Sequence, residues 1–291
     1  MTQTILLVLL GALVQDRAAS DLKPLPELNS FLQDVREHLH SDEFVQSKYT
    51  YTERTVFRQL DSGGRTKKTE TKVYEVYPSL DERFTYRRLT SKDNKPLSAE
   101  EIRREDNAFD KKRREWEHKL ERENEGDRKH RESEQRRKEE EDLNEAFRLY
   151  AFTMIGREQL EGIPVIALGF EPRSDYKPQT ETGKMLSKVR GKAWVTEADQ
   201  QLVHLEAELI DSMSFGLGIL ARLNKGTCMV FERRRVNNEV WLPAESRFSG
   251  TGKILALKSF RVDQETIYSD YKKFSVETLF NIGQRKPPAK E

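Results

Sequence analysis

The sequence has little of what most known active sites require. It contains a single cysteine, Cys228, and five histidines in 291 residues. One cysteine excludes an intramolecular disulfide framework and a zinc site built from several thiolates. Cys228 opens a predicted strand, where we expect a small buried hydrophobe. We find no Gly-x-Ser-x-Gly, no phosphate-binding loop and no His-Glu-x-x-His pattern. The sequence therefore predicts no enzyme, no cofactor and no metal site.

Uncompensated charge is also lacking. The chain has 51 Lys and Arg against 50 Asp and Glu, which gives a net charge of +1. Nucleic-acid binding needs a basic face without compensating acids, so we expect no nucleic-acid partner. Charged residues make up 35% of the chain and apolar residues 35%. A chain of this length can bury an adequate core without covalent staples. We expect a monomer.

Long apolar runs are absent except near the N-terminus. Residues 5–14 are apolar, which is about half of what a membrane-spanning helix needs but is typical of a signal peptide. The alternative is a buried N-terminal strand or helix. We predict a signal peptide over 1–19 and an exported, soluble, periplasmic protein. No cysteine follows the run, so we expect no lipid anchor.

The periodicity of apolar residues predicts an α+β fold. Residues 28–39 have the three- and four-residue spacing of an amphipathic helix. Alternating strands are predicted next, over 49–57, 72–77, around Phe84 to Tyr86, 148–155 and 163–170. A short helix over 179–190 follows. Further strands are predicted at 191–195, 202–210, 227–235, 239–249 and 253–271, with a turn at 249–252. We expect a curved antiparallel sheet of about ten to eleven strands that forms an incomplete barrel.

Residues 99–142 differ from the rest of the chain. Of these 44 residues, 31 are charged, 17 acidic and 14 basic. The interleaved signs favour a long exposed helix, with a capping box at Ser98 and Glu101 and a break near 124–126. The predicted organisation is one domain over 20–285 with a charged helical insertion at 98–146, followed by a disordered tail at 286–291. The helix either lies against its own sheet or binds another envelope protein.

One passage resembles a known family. Gly191 to Val195, the turn after it and Leu202 to Glu206 resemble a hairpin of the LolA/LolB-like superfamily, the outer-membrane lipoprotein-sorting proteins and their relatives. Thr196 stands where the family usually has Asp, and His204 where it has a basic residue. The resemblance implies a half-barrel whose apolar cavity holds a lipid or a lipoprotein acyl chain.

The resemblance and the strand pattern together suggest a set of cavity-lining residues. We expect residues 213–220 to act either as a lid over the cavity or as part of the core. The candidate ligand-binding residues are Tyr49, Tyr51, Phe57, Trp194, Val203, Leu205, Leu209, Phe215 and Leu217.

Overall fold

The computed structural model describes residues 24–77, 85–122, 124–215, 221–254 and 258–273. The predicted signal peptide, Phe84, Leu217 and the predicted tail lie outside the described residues. The α+β fold class is confirmed: four helices accompany one large antiparallel sheet within the described ranges. The helices are α1 Leu28–Gln46, α2 Ala99–Arg122, α3 Glu125–Leu149 and α4 Glu181–Leu186.

Thirteen strands of the described residues form the sheet. Their bounds are β1 Tyr49–Leu60, β2 Thr66–Tyr77, β3 Tyr86–Lys92, β4 Lys95–Pro96, β5 Tyr150–Leu160, β6 Ile163–Pro172, β7 Val189–Thr196, β8 Leu202–Leu209, β9 Met213–Phe215, β10 Ala221–Leu223, β11 Cys228–Val236, β12 Val240–Ile254 and β13 Lys258–Lys273.

The order of the strands leaves the sheet open. It runs β4-β3-β2-β1-β13-β12-β11-β8-β7-β6-β5, with β9 and β10 attached beside β12. β4 and β5 are the two ends of this order, and they are not paired with each other. The helices α2 and α3 form the connection between these two end strands. The expected incomplete barrel is therefore confirmed as an antiparallel sheet that does not close.

The charged segment folds as two helices rather than one. The predicted break is present, because α2 ends at Arg122 and Asn124 caps α3 by accepting a hydrogen bond from the Asp127 backbone at 2.9 Å. The predicted capping box is present too. The Ser98 backbone N–H donates to the Glu101 carboxylate at 2.8 Å, and the Glu101 N–H donates to the Ser98 hydroxyl at 3.3 Å.

Four local predictions are wrong. The strand predicted at 148–155 starts at Tyr150, because α3 continues to Leu149. The helix predicted over 179–190 is only α4, because the Thr180 hydroxyl caps its start and β7 follows at Val189. Cys228 is exposed rather than buried.

The fourth error concerns the turn predicted at 249–252. These residues lie inside β12, and β10 pairs alongside them. A Cβ atom on Gly252 would overlap the carbonyl oxygen of Arg222, a backbone atom that cannot move aside. Gly252 therefore allows two strands to approach each other closely. A sequence pattern does not distinguish such a glycine from a turn glycine.

Candidate functional site

The side chains of one sheet face can be followed across eight strands. Paired residues in neighbouring strands point to the same face. One row crosses the sheet from β1 to β5 and consists of Phe57, Gln264, Phe248, Met229, Ala207, Gly191, Phe170 and Phe152. The next row on the same face consists of Thr55, Thr266, Ser246, Phe231, Leu205, Ala193, Leu168 and Met154. We call this face the inner face.

Helices cover the half of the inner face that lies on β5 to β8. Phe31 and Val35 of α1 pack on Ile166, Leu168 and Val195. Leu149 at the end of α3 and Leu186 of α4 pack over Phe170 and Leu205. The helical spacing of Phe31 and Val35 is what turns this side of α1 towards the sheet. This half of the inner face is the helix-covered core of the sheet.

The half on β11, β12, β13 and β1 is more open. We give the name trough to five of its apolar residues, which are Phe57, Met229, Phe231, Phe248 and Phe260. Phe57 is 37% exposed and Met229 is 42% exposed, while the other three are half-buried. A group of large apolar side chains left accessible on one sheet face is typical of a binding surface.

The trough has a polar end on β1. The carboxylate of Glu53, four residues from Phe57 on the same strand face, is buried, and Arg87 of β3 donates to both of its oxygens. The Arg87 guanidinium lies 4.5 Å from the centre of the Tyr74 ring. Four residues of strand correspond to about 13 Å. An apolar surface with charged groups at one end is suited to an amphipathic molecule.

Two of the predicted site residues flank this polar end. The ring of Tyr51 lies 6.0 Å from that of Tyr268 and 5.3 Å from that of Tyr271. Burial raises the pKa of Tyr51 to about 12, with Glu53 adding to the effect. Tyr49 is fully buried with Val240 and Leu242, and its hydroxyl donates to Glu239.

The other predicted residues are dispersed. Trp194 and Val203 pack near Val165 and Trp241, because a bulge in the β7–β8 pairing takes Val203 out of the cluster that holds Leu205. Leu209 is buried.

Of the predicted lid over 213–220, the structure describes only the first three residues. These residues, Met213 to Phe215, form β9 and pair with β10. The predicted set is therefore not one site, and Phe57 is its member in the trough.

The remaining trough residues were not among those predicted from the sequence. Met229 and Phe231 have the two-residue spacing of one strand face, which was a usable signal. Phe248 and Phe260 become neighbours of Phe57 only through pairing with β13. That pairing joins residues about two hundred positions apart, and no local pattern shows it.

Further features bear on chemistry. Within the described part of the chain, no three His, Cys, Asp or Glu side chains are grouped so that they could hold a metal ion. Among the same residues no helix is long and apolar enough to cross a membrane.

A cavity of about 770 Å³ lies between α1 and α3. It is lined by Asn29, Leu32, Gln33, Arg36, Glu37, Arg136, Glu139, Glu140 and Phe147.

Comparison with known proteins gives structural matches alone. No protein-family model and no curated protein matches the chain. A candidate outer membrane lipoprotein-sorting protein domain from Vibrio parahaemolyticus is similar with 12% identity and a TM-score of 0.31, over 88% of this chain and 98% of that one. A LolA superfamily protein from Nitrosomonas europaea has 10% identity and a TM-score of 0.30, over 88% and 98%.

A third structure belongs to the DUF1329 family. This protein from Desulfovibrio piger has 10% identity and a TM-score of 0.28, over 87% of this chain and 95% of that one. Two of the three proteins carry the description of the superfamily that residues 191–206 resemble. The TM-scores are low, so the function is argued from the geometry of this chain.

Proposed function

We propose that the chain is a non-catalytic protein of the cell envelope that binds a lipid or a lipoprotein acyl chain in the trough. The observation that carries the proposal is the group of large apolar side chains on the open half of the inner face, where Phe248 and Met229 are paired neighbours and Phe57 lies beyond Gln264 in the same row. Each CH₂ group of an acyl chain buried there contributes about 0.8 kcal/mol. The apolar run at 5–14 supports export.

The polar end of the trough supports an amphipathic ligand rather than a hydrocarbon. With the chain on Phe57 and Met229, the head group lies towards Arg87, whose side chain is half exposed beside Glu53. Two guanidinium nitrogens of Arg87 already donate to the Glu53 carboxylate, so its remaining N–H groups are the donors for a head group. The bound molecule is therefore an acyl chain with a polar head that accepts hydrogen bonds. Its carriage or detection requires no bond to be made or broken.

The experiment is displacement of a fluorescent fatty acid from purified protein. Phe57→Glu and Met229→Glu each place a charge in the trough, and we expect each to weaken binding at least tenfold. The matched control is Ile267→Glu. Ile267 is 39% exposed and lies on β13 at the opposite sheet face from Gln264. Equal binding by all three variants, each folded by circular dichroism, would remove the trough as the site.

A second candidate function is supported by the exposed helices. Every side chain of α3 from Ser133 to Glu141 is exposed, and ion pairs within the helix, such as Arg137 with Glu141 at 2.8 Å, hold these charges in place. A solvated charged helix of this kind suits an envelope protein-interaction module acting through 99–142.

Replacement of 99–142 by a short linker separates the two functions. The lipid-binding function predicts that the shortened chain, once shown to be folded, keeps its fatty-acid affinity. The interaction function predicts that it loses capture of a defined envelope partner.

A further inference from the structure

The cavity between α1 and α3 has charged residues of both signs on each of its two walls. One stripe of α1, with Arg36 and Glu37, faces one stripe of α3, with Arg136, Glu139 and Glu140. On each helix the lining residues recur at spacings of three and four positions, so they lie on one side of that helix. Leu32 and Phe147 are the apolar residues of the lining. The cavity therefore has an apolar part and a charged part, and the opposite charges of Arg36 and Glu140 lie on different walls.

Four of the charged side chains are not paired across the cavity. Among the residues that the structure describes, the side chains of Arg36, Glu37 and Glu140 form no hydrogen bond or ion pair, and the Glu139 carboxylate accepts from Gln135 of its own helix at 2.9 Å. Charged side chains on facing helices usually pair when the helices approach. Here a space of about 770 Å³ lies between the charged side chains of α1 and those of α3.

Helix α3 is anchored at its C-terminal end. The buried Glu145 carboxylate accepts hydrogen bonds from the backbone N–H groups of Gln179 and Thr180, the latter at 2.8 Å. One turn earlier, Asp142 accepts from the Thr182 hydroxyl at 2.9 Å. We call these contacts the clasp. The part of α3 before the clasp, Ser133 to Glu141, is exposed throughout. A helix held at one end and solvated at the other can pivot.

We propose that α3 closes onto α1 by pivoting at the clasp, with Arg36 pairing with Glu140 in the closed state. Closure covers Leu32 and Phe147, which form the apolar part of the cavity. The structure then represents the open state of a strap built from the charged segment. The closed state is stabilised by ion pairs in water, so it weakens as salt rises.

The test measures the distance between the two helices on the ligand-free chain. Cys228→Ser removes the native thiol, and Ser30→Cys with Ser133→Cys places spin labels on exposed positions of α1 and α3. Pulsed electron paramagnetic resonance then reports the distance distribution. We expect a short-distance population that falls by about two- to fivefold for Arg36→Glu or for Glu140→Arg, the effect of one exposed ion pair.

The charge swap decides the result. Arg36→Glu combined with Glu140→Arg restores the pair with reversed signs, and we expect the short-distance population to return to within about twofold of the parent. The matched control is Glu141→Arg, which makes the same change of charge at the next residue of α3. Glu141 pairs with Arg137 of its own helix, so this variant should leave the pairing of Arg36 with Glu140 intact.

Two outcomes overturn closure. One is a distribution that neither single substitution alters, and the other is a double variant that stays as open as the singles. Because no lipid is present, a failure of the trough to bind fatty acid does not change either reading.

Discussion

Phe109 of α2 stacks on Tyr86 of β3, with ring centroids 4.2 Å apart and planes inclined by 20°. One turn earlier on α2, Asp106 accepts hydrogen bonds from the Tyr86 hydroxyl and, at 2.7 Å, from Arg88. Tyr86 and Arg88 lie on the sheet face opposite to Arg87 and Glu53. The first half of the charged segment is therefore docked on the outer face, away from the trough.

Phe109→Ala removes the ring stack that docks α2. We expect a loss of about 1–2 kcal/mol in the free energy of unfolding, because an aromatic pair adds its own attraction to the apolar area that it buries. Urea denaturation followed by tryptophan fluorescence measures the change. The control is Arg114→Ala, an exposed position on the same helix that should stay within about 0.5 kcal/mol of the parent. Equal stability of the two variants would contradict docking through this ring.

Gly183→Ala tests the clasp between α3 and α4. A Cβ atom at this buried position would overlap the Glu145 carboxyl group, so the variant must displace it from Gln179 and Thr180. We expect a destabilisation of about 1–3 kcal/mol, the usual cost of overpacking. Gly156→Ala is the matched control, since a Cβ there meets nothing within 4 Å. Thermal melts of both variants measure the difference, and a Gly183→Ala melt that overlays the control would show that the clasp is not as described.

Acid should weaken the clasp. Burial raises the pKa of Glu145, but the hydrogen bonds from Thr180 and Gln179 outweigh it, and the pKa lies below its ordinary value. A carboxyl group whose folded pKa is depressed stabilises the fold above its unfolded pKa of about 4.3. That contribution is lost as pH falls through the folded pKa. Comparison of the parent with Glu145→Gln by urea denaturation at about pH 6 and about pH 3 should show a smaller pH effect in the variant. Parallel losses in both proteins would contradict this role for Glu145.

Local patterns predicted the fold class and most elements. The spacing of Phe31 and Val35 identified α1, and Ser98 with Glu101 marked the start of α2. These signals act within one or two turns of chain, where the physics is local. Gly252 shows the limit of this approach, because it looks like a turn residue but exists for contact with Arg222 on another strand.

The site was harder to predict than the elements. Tyr51 and Phe57 share a strand face, as the sequence predicted. Val203 does not share the face of Leu205, because the β7–β8 pairing has a bulge at this point that no residue type in the sequence indicates. The trough itself depends on β1 pairing with β13 near the other end of the chain. Several strands have alternating apolar residues, and the helices decide which of these residues stay accessible. The positions of the helices are set only in the assembled fold.

Native mass spectrometry shows whether the trough holds an acyl chain. The full-length chain would be incubated with palmitate and, separately, with a phospholipid, and then measured beside the Met229→Glu and Ile267→Glu variants. We expect one bound lipid on the parent and on Ile267→Glu, and little or none on Met229→Glu. An unchanged apo mass for the parent with both lipids would show that the trough does not bind an acyl chain.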